Sequence, residues 1–236
     1  MKGSRGRGIE GSRGRLWVLL ALIAVNSAMA EQPSAKDILE KAAKHYEAVK
    51  DYVVDAKLTL ESPSVHVPEM LVRIYFKKPN KVHIESRDGF ALLPKQGIVM
   101  GNPLRDLMAG AELSPVESGR AMGHDCHIIR ATIKQEGRMA QSTVWIDKKD
   151  YLVRQIHMNP DWGPTVKVKL WYTKAAGKYW LPNMTTAQVT LPPIRGAEPP
   201  DERKAEQPTV VTIKFSNYRV NTGLSDKIFE DKERGN

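Results

Sequence analysis

Val53-Val54-Asp55-Ala56-Lys57-Leu58-Thr59-Leu60 is the stretch that decides how this chain folds. Val54, Ala56, Leu58 and Leu60 fall on one side of an extended backbone, and Asp55, Lys57 and Thr59 on the other. A period of two is the mark of a strand with one face buried and one face in water. The same alternation recurs downstream. Met70, Val72, Ile74 and Phe76 oppose Arg73 and Lys77, and Val82 and Ile84 oppose His83 and Glu85. Val144 and Ile146, then Leu152, Ile156 and Met158, continue it. Val166, Val168 and Leu170 alternate with Lys167 and Lys169, and Val211, Ile213 and Phe215 with Thr212 and Lys214.

The joints between these runs are turn-like: Lys78-Pro79-Asn80, Gln135-Glu136-Gly137, Asp147 to Asp150, and Ala175-Ala176-Gly177. Spacing this short suits hairpins. About eleven strands follow, in one large antiparallel sheet that must curl to hide its apolar face. One helix precedes them. Ser34 is placed to cap it, with Asp37 three residues on, and Ile38, Leu39, Ala42, Ala43, Tyr46 and Val49 form an apolar stripe ending near Lys50. Asn102 to Ala111 reads as a second, short helix, with Pro103 at its first position and Leu104, Leu107 and Met108 on one side. Pro192 to Pro208 is rich in Pro and charge and reads as a mobile loop between strands.

The first thirty residues have the parts of a secretory signal peptide. Five basic residues face the single acid Glu10, Leu16 to Val25 is an unbroken apolar run, and Ala28 and Ala30 put small side chains where a signal peptidase cuts. A span of the bilayer needs roughly 20 apolar residues, which this run lacks. The expectation is cleavage after Ala30, with residues 31–236 forming one exported domain. Glu31 stands where a bacterial lipoprotein would carry its acylated Cys, and the only Cys is Cys126. Loss of residues 1–30 takes the net charge from +9 to +5, with 31 basic and 26 acidic residues left. That is a mildly basic surface, weak evidence for nucleic acid and compatible with contact to an anionic membrane. A single Cys forbids an internal disulfide, so the fold rests on its core.

Catalytic patterns do not emerge. The sequence has no phosphate loop, dinucleotide-binding turn, Gly-x-Ser-x-Gly elbow or His-Glu-x-x-His. His124, Cys126 and His127 cluster, but in a strand His124 and Cys126 share a face while His127 points away, so a tetrahedral metal site would need distant ligands. The plainer reading is a strand start with a buried thiol. Asn183-Met184-Thr185 matches a glycosylation acceptor, which matters only in a eukaryotic secretory pathway. Lys167 and Lys169 near Trp171 suggest nucleic-acid stacking, although an exported chain rarely meets that ligand. The carboxylates include no pair that stands out. What remains is the apolar side. A curled sheet of this size leaves concave space that side chains either fill or leave for an apolar ligand such as an acyl chain, and patterning alone leaves both open.

Three stretches carry a family resemblance. Phe76-Lys77-Lys78-Pro79-Asn80-Lys81-Val82 resembles the aromatic-basic-Pro hairpin of the LolA-like family of periplasmic lipoprotein carriers and outer-membrane lipoprotein-sorting proteins. Trp145-Ile146-Asp147-Lys148-Lys149 with Tyr151-Leu152-Val153-Arg154-Gln155-Ile156 is similar to its central hairpin, and Phe215 to Asp226, followed by Phe229-Glu230, to its C-terminal strand and turn. The resemblance runs from about Lys36 to Glu230. It implies an unclosed antiparallel β-barrel with an N-terminal helix and a short helical lid over a hydrophobic cavity. It also implies a monomeric, non-catalytic periplasmic binder of lipid or lipoprotein acyl chains, without cofactor, metal or nucleic acid. Its partners would be inner- and outer-membrane lipoprotein-transport proteins. The alternative is a lipid-sensing envelope-stress regulator that binds a membrane partner; an unrecognised enzyme stands behind both. The cavity would be bounded by Leu58, Leu60, Val72, Ile74, Phe76, Val82, Ile84, Val144, Ile146, Ile156, Val168, Leu170, Ile213 and Phe215, with Leu104, Leu107 and Met108 as the lid. For any one of these residues, plain core packing is the simpler role.

Overall fold

The structure is a computed structural model that describes residues 33–62, 67–86, 102, 104–135, 137–190 and 208–230. The signal-peptide reading over residues 1–30 lies outside them, as does the loop reading over 192–208 except for Pro208. Helix α1 spans Ala35–Glu47. Its start is the predicted capping box: the Asp37 amide donates to Ser34 Oγ at 3.1 Å, and the Ser34 amide donates back to Asp37 Oδ2 at 3.2 Å. The strands are β1 (Asp51–Glu61), β2 (Met70–Lys77), β3 (Lys81–Ser86), β4 (Glu112–Leu113), β5 (Glu117–Ala121) and β6 (His124–Gln135). They continue with β7 (Arg138–Asp147), β8 (Val153–Pro160), β9 (Thr165–Ala175), β10 (Tyr179–Thr190) and β11 (Thr209–Val220). Between β3 and β4 lies α2 (Arg105–Met108), shorter than the stretch expected from Asn102 to Ala111.

All eleven strands join one antiparallel sheet in the order β3-β2-β1-β11-β10-β9-β8-β7-β6-β4, with β5 also on β6. Neighbours in space are neighbours in sequence except at two places, where β1 pairs with β11 and where β4 pairs with β6. The first and last strands thereby weld the hairpin β2–β3 onto the meander β6 to β11. The sheet does not close: β3 forms one edge and β6, carrying β4 and β5, the other. Alternation implies a large curled antiparallel sheet, and the resemblance implies that it is an unclosed barrel; the structure has both features.

The stretches that carried the resemblance turn out to be joints. Asp51, buried at the start of β1, accepts from the Thr222 amide at 2.8 Å and the Gly223 amide at 3.1 Å. Asn221, with φ +56°, accepts from the Lys50 amide at 2.6 Å and donates to the Ala48 carbonyl at 3.2 Å. Lys78 Nζ reaches the Glu47 carbonyl at 2.5 Å, satisfying the C-terminal end of α1. Lys77 and Lys81 both meet Asp226 at 2.9 Å. The basic hairpin, the C-terminal turn and the end of the helix are thus one hydrogen-bonded assembly.

The core divides in two. The first cluster places Ile38, Leu39 and Ala42 of α1 and Leu107 of α2, with the adjoining Leu104, against Ile129, Val144, Ile146, Ile156, Val168 and Leu170 of β6 to β9. The second gathers Tyr52, Val54, Ala56 and Leu58 of β1, Val72, Ile74 and Phe76 of β2, and Leu181 and Ile213.

Candidate functional site: an open stretch of the concave face

Registers define the inner face row by row. Leu60 pairs with Val211, Val211 with Ala187, Ala187 with Val168, Val168 with Ile156, Ile156 with Val144, and Val144 with Ile129. One row therefore crosses β1, β11, β10, β9, β8, β7 and β6. Its two halves differ. Val168 and Ile156 are 4% and 6% exposed and Val144 and Ile129 are fully buried, whereas Leu60, Val211 and Ala187 are only half-buried. The next row toward the same end repeats this: Val189 and Val166 are half-buried, and Met158 is 39% exposed although it faces inward beside buried Ser142.

The open stretch centres on β10, which lies in the middle of the sheet. Its inner positions are Thr185, Ala187 and Val189, small side chains that are all half-buried. A central strand in a filled barrel would have these positions fully buried. Leu60 and Val211 stand on one side of this floor, Val166 and Met158 on the other. Five strands at about 4.8 Å spacing make a groove roughly 19 Å across, on the scale of an extended acyl chain. It has an apolar lining, apart from Thr185, and no ionisable side chain among the inward positions just named.

Beside the groove, the first cluster is held by polar ties. Tyr46 and Tyr172 hydroxyls lie 2.9 Å apart, and Tyr172 donates to the Val153 carbonyl at 2.9 Å. Burial pushes the Tyr46 phenol up to about 12 and Tyr172 well above its ordinary value, so both are neutral donors at any physiological pH. His45 Nε2 donates to the Asp150 carbonyl at 2.7 Å, and the Lys41 ammonium sits 5.0 Å over the Tyr151 ring. Arg154, also buried, donates to Asp147 Oδ2 at 2.9 Å, and its guanidinium lies 5.7 Å from the Tyr172 ring. Burial alone would raise the Asp147 carboxyl. The hydrogen bonds from Arg154 and from the Lys149 and Asp150 amides outweigh it and hold the group below its usual range. These contacts fasten α1 to the β7–β8 turn and to β9.

The predicted site residues separate accordingly. Leu58, Val72, Ile74, Phe76, Leu104, Leu107, Val144, Ile146, Ile156, Val168, Leu170 and Ile213 are buried in the two clusters. Leu60, Val82, Ile84 and Phe215 are inner-face and half-buried. Of the three lid residues, Leu104 and Leu107 pack into the first cluster, while Met108 is 42% exposed. Sequence reading placed the joints on either side of β10, at Ala175-Ala176-Gly177 and from Pro192, but assigned none of its residues to a strand. Its inner residues contrast too little with their neighbours for alternation to register, and Pro182 sits where a strand interior is not expected. A bulge between Pro182 and Met184 accommodates that proline, and Tyr218 donates to its carbonyl at 2.7 Å. The run Thr185, Thr186, Val189, Thr190 was the available signal, being rich in β-branched residues. The His124–His127 cluster is structural as placed: His124 Nδ1 lies 2.7 Å from Asp147, Cys126 is buried, and His127 stacks on Tyr151.

Solved structures share this architecture. A domain from Vibrio parahaemolyticus described as an outer membrane lipoprotein-sorting protein domain superposes with a TM-score of 0.60 at 14% identity, over 83% of this chain and 95% of its own. A LolA superfamily protein from Nitrosomonas europaea gives 0.53 at 11% identity, over 84% and 97%. A DUF1329 family protein from Desulfovibrio piger gives 0.55 at 17% identity, over 83% and 97%. No family model matches the sequence, and no curated protein matches it. The chain has the LolA-like fold.

Proposed function

We propose that this protein is exported, by cleavage after Ala30, to the periplasm and there binds acyl chains of lipids or lipoproteins in the groove over β10, without catalysing a reaction. The observation that carries this reading is the half-exposure of Thr185, Ala187 and Val189 on the inner face of a central strand. Apolar space left accessible in the middle of a sheet favours an apolar occupant, and each buried methylene is worth about 0.8 kcal/mol. The fold shared with a domain described by lipoprotein sorting supports the same substrate class. So does the chemistry of the groove, whose described inward residues are apolar apart from Thr185 and include no acid or base. Among the described residues no helix is long and apolar enough to cross a membrane.

The test is extraction and mass spectrometry of lipid from the purified chain starting at Glu31, followed by titration with a fluorescent fatty acid. We expect co-purifying lipid, and saturable probe binding that falls more than about tenfold in Ala187→Trp, the loss expected when a bulky ring replaces roughly two or more buried methylenes of ligand. Finding neither lipid nor displaceable probe would sink the reading.

A further inference from the structure

The convex side of the sheet carries two kinds of surface. Over β1 and β2 its charges are matched. Arg73 Nε donates to Asp55 at 2.9 Å, Lys57 Nζ lies 2.6 Å from Glu69, and Tyr75 donates to Glu85 of β3 at 2.8 Å. Over β7 to β11 they are not. There Trp171 pairs with Met184 and Met184 with Lys214, and in the next row Trp145 pairs with Gln155 and Gln155 with Lys169. Lys167 continues the third row beside His157, whose Nε2 has no hydrogen-bond partner among the described residues. No outward position is Asp or Glu in the first row from β9 to β11, or in the other two rows from β7 to β11. Lys167, Lys169 and Lys214 are exposed and form no ion pair among the described residues, while Trp145, Trp171 and Met184 are half-buried beside them.

We infer that this acid-free face docks on an anionic phospholipid surface. Three uncompensated lysines supply the attraction to headgroups, and two tryptophans flush with the sheet supply amphipathic rings at headgroup depth. Single-stranded nucleic acid fits less well, because bases stack on aromatic faces that stand free, and these rings are half-sunk between neighbouring side chains. The face stands on its own geometry; the acyl-binding reading adds only a reason for a membrane to be the anionic surface that is met.

The experiment is co-sedimentation of the chain from Glu31 with phosphatidylcholine vesicles, with and without phosphatidylglycerol, at two salt concentrations. Binding should require phosphatidylglycerol and weaken with salt. In the triple variant K167Q/K169Q/K214Q it should fall by about fivefold per lysine, on the order of 100-fold in all. These side chains are exposed, so the variant should melt like the parent. Equal binding by parent and variant, or binding indifferent to phosphatidylglycerol, would overturn the inference. Tighter binding to an oligonucleotide than to vesicles at the same salt would reassign the face to nucleic acid and overturn it too. The fatty-acid titration in vesicle-free solution separates the two proposals, since the triple variant should bind the probe as the parent does. Loss of probe binding alone would remove the groove and leave this face standing.

Discussion

Where α1 and Leu107 of α2 meet β6 to β9, Ile129, Val144 and Ile146 are shut from water; over β10 and β11, and on to Val166 and Met158, the concave face stays half-open at Ala187, Val189 and Val211. The sheet is continuous across both, so the difference is not one of secondary structure. It comes from what lies on top and from side-chain size. Where the capped, amphipathic helix lands, large side chains meet large side chains. Where the inner strand narrows to Thr, Ala and Val, the same curvature leaves room. Sealed core and half-open apolar surface therefore sit in separate parts of one sheet, and the open part need not loosen the core.

Substitutions on either side should behave differently. The largest effect is expected at Asp147, in the sealed half. Asp147→Asn leaves Arg154 buried without its counter-charge and should cost about 3–5 kcal/mol in urea unfolding. The loss should depend on pH. Because the folded carboxyl titrates below its ordinary value, its stabilisation is complete well above about pH 4 and disappears as the pH falls through the unfolded and then the folded value. The gap between parent and variant should thus narrow in acid, and a gap that widened would contradict the assignment. Ile146→Ala, fully buried under α1, should cost about 2–5 kcal/mol by the same unfolding measurement. Ser34→Ala removes one capping bond at the exposed start of α1 and should cost about 1 kcal/mol, seen as a small drop in melting temperature. The smallest stability effect is expected at the open half: Ala187→Trp should change unfolding by less than about 1 kcal/mol. If it instead destabilised as much as Ile146→Ala, the groove would be packed core and the contrast would fail.

Much of this architecture was legible beforehand. Ser34 and Asp37 announced the helix start, and alternation in Val54 to Leu60, Val72 to Phe76, and Val166 to Leu170 announced strands with a buried face. The hairpin joints at Lys78 to Asn80 and Asp147 to Asp150 appeared where expected. These are local signals, set by which side of a backbone each residue occupies. The pairing of β1 with β11 was not legible, because contacts such as Leu58 with Ile213 join residues far apart in sequence. Nor was it legible which residues of β10 face inward, since its inner and outer positions differ too little in hydropathy. The role of the motifs behind the family resemblance was also hidden. Asn221, Asp51 and Lys78 look like isolated polar residues until the fold brings them to one joint.

By itself the sequence determined that this chain makes one capped helix and a large, one-sidedly apolar antiparallel sheet, since capping and alternation are properties of neighbours a few residues apart. Only the tertiary structure decided which of those apolar residues are sealed and which stay open. Leu60, Ala187 and Ile146 all sit on the same inward face, yet Ile146 is fully buried in the cluster that α1 joins while Leu60 and Ala187 stay half-exposed. Burial is a property of the assembled surface, and no single stretch of residues encodes it.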